Sequence, residues 1–95
     1  MSDVGVQVEH REKARRFTVR TDAGTAYLRY ERPDERTIDL KHTGVPEAAE
    51  GRGVGSALAR AAFDYARAQG LRVVVTCPFV ATWVKRHPEV RDVLG

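Results

Sequence analysis

Apolar and polar residues alternate through most of the first half of the chain. Val4, Val6 and Val8 are interleaved with Gly5, Gln7 and Glu9, a period of two that predicts a strand over Val4 to Glu9. A basic bend, His10 to Ala14, is expected next. Arg16 to Thr21 and Thr25 to Glu31 repeat the alternation through Phe17 and Val19 and then Ala26, Leu28 and Tyr30, and Asp22-Ala23-Gly24 between them suits a hairpin loop. Pro33-Asp34-Glu35 marks another turn, after which Thr37 to Lys41 sets Ile38 and Leu40 against Asp39 and Lys41. These segments predict an antiparallel meander.

Beyond residue 56 the period lengthens to that of a helix. Over Ala57 to Gln69, Leu58, Ala61, Ala62, Tyr65 and Ala66 form one face, while Arg60, Asp64 and Arg67 lie opposite, with Arg60 and Asp64 spaced to pair. Gly70 should close the helix as a left-handed cap. The run Val73-Val74-Val75 within Leu71 to Cys77 predicts a strand covered on both faces, which Pro78 ends. Val80 to Arg86 reads as a two-turn helix giving Val80, Trp83 and Val84 to the core, and Pro88 to Leu94 as one turn more. Strand, turn, helix and strand make a β-α-β crossover. The strands Thr37 to Lys41 and Leu71 to Cys77 should therefore be parallel, with a right-handed connection, in an α/β fold.

The connection itself is Glu50-Gly51-Arg52-Gly53-Val54-Gly55-Ser56. Glycines just before a helix let backbone N–H groups converge on an anion, and the helix N-terminus adds partial positive charge. A phosphate at the C-terminal side of the strands is the expected ligand. A P-loop would need a lysine followed by Ser or Thr after Gly55, where Ser56-Ala57 stands, and the helix contains no lysine. A dinucleotide fingerprint would need Gly or Ala in place of Ser56 and an acidic residue about 20 positions on, where Val73-Val74-Val75 runs.

Ninety-five residues suit one domain spanning 1–95, and no run approaches the ~20 apolar residues of a membrane span. Met1-Ser2-Asp3 lacks the basic and apolar regions of a secretory signal, and the single Cys77 allows no intramolecular disulfide, so a cytoplasmic protein is expected. Sixteen basic against thirteen acidic residues leave a net charge of +3, interleaved rather than clustered. With no recognition motif or aromatic-basic stripe, nucleic acid is not the expected partner. His10, His42 and His87 form no metal motif, and one cysteine is too few for a structural zinc.

Four strands, Glu50-Gly51-Arg52-Gly53-Val54-Gly55, a helix and a valine-rich strand resemble the acetyl-coenzyme A core of the GNAT superfamily of N-acetyltransferases. That family's signature is Arg or Gln, two residues, Gly, one residue, then Gly or Ala. His42-Thr43, Cys77-Pro78-Phe79-Val80 and His87-Pro88 resemble more narrowly its small single-domain members. The resemblance spans Thr37 to Leu94 and implies a minimal GNAT fold: a meander continued through the crossover into a parallel strand pair, with short C-terminal helices. It implies acetyl-coenzyme A as cofactor, its pyrophosphate on the amides of Gly51, Arg52, Gly53, Val54, Gly55 and Ser56 with Arg52 adding charge. The pantetheine arm would lie along the backbone near His42, Thr43 and Val45, and the thioester near Cys77 and Phe79.

The implied reaction is acetyl transfer by direct attack of an amine within a ternary complex, the acceptor being a small amine or a protein amine and the protein a monomer or homodimer. Cys77 is the first candidate for catalysis and His42 the second. A buried small hydrophobe and a hydrogen-bonded strand-end histidine are the plain alternatives for the two. His87, before Pro88, reads as a helix terminator. Three positions depart from the family pattern: Glu50 stands at the usual Arg or Gln, Gly44 at a common glutamate that would serve as base, and Trp83 at a common tyrosine. The missing glutamate and tyrosine, at Gly44 and Trp83, favour the alternative of a non-catalytic module for coenzyme A or its acyl form. A basic partner-binding protein is the third reading.

Overall fold

The computed structural model describes residues 6–95. Its five strands are β1 (Glu9–Arg11), β2 (Arg16–Thr21), β3 (Gly24–Asp34), β4 (Thr37–Gly44) and β5 (Arg72–Val75), and its helices are α1 (Val54–Gln69) and α2 (Pro78–Lys85). Single 3₁₀ segments cover Glu47–Ala49 and Pro88–Val93. The strands lie in one sheet in sequence order, antiparallel from β1 to β4 and parallel between β4 and β5. The meander and the crossover are thus as expected.

Alternation explains which sheet face is covered. Phe17, Val19, Ala26, Leu28, Tyr30, Ile38, Leu40 and Val73 are buried with Leu58, Ala62, Phe63, Val80 and Trp83 of the helices, so both helices pack on one face. The other face carries Arg16, Tyr27, Arg29, Glu31 and Asp39, and no described helix covers it.

The structure corrects the sequence reading in four places. Val4 and Gly5 lie outside the described residues, and Val6 and Val8 pack against the core ahead of the first paired strand. Pairing begins at Glu9 and runs through Arg11, where a bend was expected, because His10 stacks on Phe17 at 4.1 Å and its Nε2 lies 2.6 Å from the Tyr30 hydroxyl. The β3–β4 turn is also tighter than Pro33-Asp34-Glu35, since β3 runs on to Asp34 and the Asp34 carboxylate accepts the Arg36 N–H at 2.8 Å.

The buried face of α1 is rotated. Val54, Leu58, Ala59, Ala62, Phe63 and Ala66 are inside, while Ala61 and Tyr65 are half-buried. Phe63 turns inward because Trp83 of α2 stacks on it, centroids 5.6 Å apart and planes 18° apart. Arg60 meets Glu89 rather than Asp64, at 2.7 Å. Finally β5 is a sheet edge. Its outer face is bare, with Val74 40% exposed, although the chain's end covers part of the edge through the Gly95 N–H to Val73 carbonyl bond of 2.8 Å. Gly70 caps α1 at φ 70°, as expected.

Candidate functional site

The site begins where the two parallel strands part. Leu40 and Val75 are the last paired residues of β4 and β5, and the N–H groups of Thr76 and Cys77 both donate to the Leu40 carbonyl, at 3.0 and 2.9 Å. Pro78 then starts α2 and draws the chain away. From His42 to Gly44 the backbone of β4 pairs only with β3, leaving its other edge open to an extended guest.

Beside this opening α1 starts without a cap. Gly51 and Gly53 adopt φ of 85° and 81°, a left-handed pair that bends the chain into the helix, and no side chain bonds the helix N-terminus. Ala57 N–H is the first to find an intrahelical carbonyl, that of Gly53, at 3.0 Å. The amides of Val54, Gly55 and Ser56 thus precede the helical ladder, and the first turn carries no acidic residue. Three free donors and the helix dipole suit an anion.

Open β4 edge and uncapped helix share one cleft of about 560 Å³. Thr43 and Val45 line it from the β4 side, Gly51, Gly53, Val54, Gly55 and Ser56 from the glycine turn, and Phe79 from α2. Gly55 matters here for space. A Cβ on it would lie 2.7 Å from the Phe79 ring, so only glycine lets that 43% exposed ring rest on the start of α1. The dimensions fall within the range of small-molecule sites.

Three expected site residues do not line the cleft. Cys77 is 1% exposed and lies against Thr43, with Sγ 3.3 Å from Oγ1, so its thiol touches the site through the threonine. His42 pairs with Arg29 and shares its face of the sheet, the one away from the helices, exposed and 5.7 Å from the Tyr27 ring. Arg52 turns toward Asp22, at 3.4 Å, and lines a separate hollow with Asp22, Thr21 and Val6. The cleft's arginine is instead Arg86, at the far end beside His87.

The departures from the family pattern have local causes. A Cβ at Gly44 would lie 2.5 Å from Cε2 and 2.9 Å from Oη of Tyr27, so the tyrosine opposite in register fills the space a larger residue would use. Trp83 donates its Nε1–H to the Ser56 hydroxyl at 2.8 Å, joining α2 to the first turn of α1. Tyr27, Thr82, Arg86 and His87 were not among the sequence-derived site residues. Phe79, Thr82, Trp83 and Arg86 recur at helical spacing, a signal present in the sequence; nothing there announces Tyr27.

The profile of the GCN5-related N-acetyl-transferase family matches residues 16–93, from β2 to the end of the last 3₁₀ segment. The chain belongs to that family. Protein NATD1 of Gallus gallus and of Bos taurus are each 42% identical to it over 85 residues, which is 87% of this chain and 77% and 75% of theirs. Protein NATD1 of Homo sapiens is 40% identical over the same length. A solution structure of a GCN5-like protein from Staphylococcus aureus superposes with a TM-score of 0.75 at 26% identity, covering 96% of this chain and 89% of that one. The α/β fold of the family, with its parallel β4–β5 pair, is therefore the fold of this chain. Among the described residues no helix is long and apolar enough to cross a membrane.

Proposed function

We propose that this family member is an acetyl-coenzyme A-dependent N-acetyltransferase acting by direct attack of an amine in a ternary complex. The observation that carries the reading is the joining, in one cleft, of an open β4 edge with three free amides at the start of α1. The coenzyme's pantetheine arm is peptide-like and fits an unpaired strand edge; its diphosphate fits the helix start.

The thioester then lies at the Thr43 end. With the Cys77 S–H donating to Thr43 Oγ1, the threonine hydroxyl proton is free to turn into the cleft and bond the carbonyl oxygen. Amine nitrogen attacks the carbonyl carbon, a C–N bond forms, the C–S bond breaks, and the coenzyme leaves as its thiolate. The amine's proton passes to water or to His42, which stands next to Thr43 on the open face of the sheet. Cys77 acts as a positioning residue and forms no covalent bond to acetyl. The acceptor, a small amine or a protein amine, approaches from that open face.

Removing the Cys77 donor should lower kcat about three- to tenfold with KM for the coenzyme unchanged, the scale of one net hydrogen bond. Cys77→Ser should keep kcat near the parent value where Cys77→Ala shows that three- to tenfold drop. Steady thiol release from acetyl-coenzyme A that requires an added amine supports the enzyme. Saturable binding without such release, across an amine screen, favours the second reading, a non-catalytic binder. The crowding of Gly44 by Tyr27 and the engagement of Trp83 with Ser56 favour that second reading, since neither position offers a free acid or base.

A further inference from the structure

An aromatic stack runs from the core to the far end of the cleft. Phe63 stacks on Trp83, and Trp83 stacks on His87 with centroids 3.9 Å apart and planes 13° apart. Trp83 cannot turn: it is buried, its Nε1–H is held by Ser56, and the Arg60 guanidinium lies 5.2 Å from its ring centre. His87 is held as well. Its Nδ1 is 2.8 Å from the Trp83 carbonyl oxygen, which only accepts, so Nδ1 carries a proton in that bond and Nε2 is the ring's remaining polar atom. The ring is half-buried and lines the cleft.

Next to it stands an uncommitted cation. Arg86 is exposed, lines the same cleft, and has no ion-pair partner among the described residues. The cleft needs one, because Arg52 is turned to Asp22 and Glu50 lines the cleft at the head of the glycine turn. From the N-cap Cys77, which lies against Thr43, to Lys85 is eight residues, about 12 Å at the helical rise, so Arg86 and His87, which follow the helix, stand well away from Thr43. Between them and Thr43 lies Ser56, beside the diphosphate amides.

We propose that His87 and Arg86 form the subsite for the phosphorylated adenosine end of coenzyme A, with His87 as a stacking platform for the purine and Arg86 as the partner of a coenzyme phosphate. The assignment rests on the coenzyme reading above. A ring already clamped between a buried indole and a main-chain carbonyl loses little freedom on stacking, which makes it an effective platform for a flat base. The guanidinium replaces the cation that the glycine turn lacks.

Calorimetric titration of coenzyme A, 3′-dephospho-coenzyme A and 4′-phosphopantetheine into the parent protein, His87→Ala, His87→Phe and Arg86→Gln tests it. Loss of base stacking in His87→Ala should weaken both adenosine-bearing ligands roughly tenfold or more, leave phosphopantetheine within twofold, and be restored by phenylalanine. Arg86→Gln should weaken coenzyme A. Loss confined to coenzyme A puts the guanidinium on the 3′-phosphate, and equal loss with the dephospho form puts it on the diphosphate. An affinity unchanged in His87→Ala, or weakened alike for all three ligands, overturns the platform; an affinity unchanged in Arg86→Gln overturns the phosphate contact. Absence of binding to the parent protein refutes the coenzyme reading itself, a result distinct from either.

Discussion

At the scale of single residues, space decides more than charge. Gly44 is crowded by Tyr27, the outer atoms of whose ring lie where a β-carbon at that position would go and would have to shift to admit one. Gly44→Ala should therefore destabilise the fold by about 1–3 kcal/mol, the usual cost of overpacking, and Tyr27→Ala in the same chain should recover part of the loss. Chemical denaturation of the two variants measures both effects; independent, additive losses would refute the contact. Thr43 and Cys77 make the complementary case, in which polarity counts. The sequence marked both residues, but only the structure shows that the thiol lies under the hydroxyl and out of reach of solvent.

At the scale of elements, the hairpin β2–β3, the parallel pair, the glycine turn and the caps were legible because each has a local cause: alternation, left-handed glycines, or a proline at a strand's end. The inward face of α1 was not, since Phe63 is drawn in by Trp83, twenty residues away in sequence. The same holds for β1, where long-range aromatic contacts of His10 override the basic composition around it. Burial at that edge pushes the His10 imidazole below its ordinary value, and the nearby Glu12 carboxylate offsets this in part. The neutral ring therefore supports the fold fully above the unfolded value of about 6.5, and the support is lost as pH falls through the lower folded value. Melting curves from pH 7.5 to 5 should show a steeper loss of stability for the parent protein than for His10→Phe, which keeps the stack without the titration. Parallel pH profiles would rule out His10 as the source.

At the scale of the whole molecule, one sheet carries both helices on one face and, among the described residues, no helix covers the other, so under the proposed function coenzyme and acceptor would reach Thr43 from different sides. The fold and the position of the glycine turn could be read from the chain; the place of His87 in the cleft could not, because it joins the cleft only through the packing of α2 on α1. A ligand held by free amides and an open strand edge binds the folded chain alone, so acetyl-coenzyme A at a hundred times its Kd should add about 2.7 kcal/mol of stability. In a domain of this size that raises the melting temperature by roughly 10–20 °C. Free adenine should not reproduce it.

The glycine turn as cradle of the coenzyme is tested most directly by calorimetric titration of acetyl-coenzyme A into the parent protein and into Gly53→Val, whose left-handed φ of 81° no β-branched residue adopts without strain. A saturable single-site isotherm in the parent and at least roughly tenfold weaker binding in the folded variant, the ~1.4 kcal/mol scale of one charge-assisted hydrogen bond, is the expected result. No binding by the parent, or equal affinity in both, would contradict it.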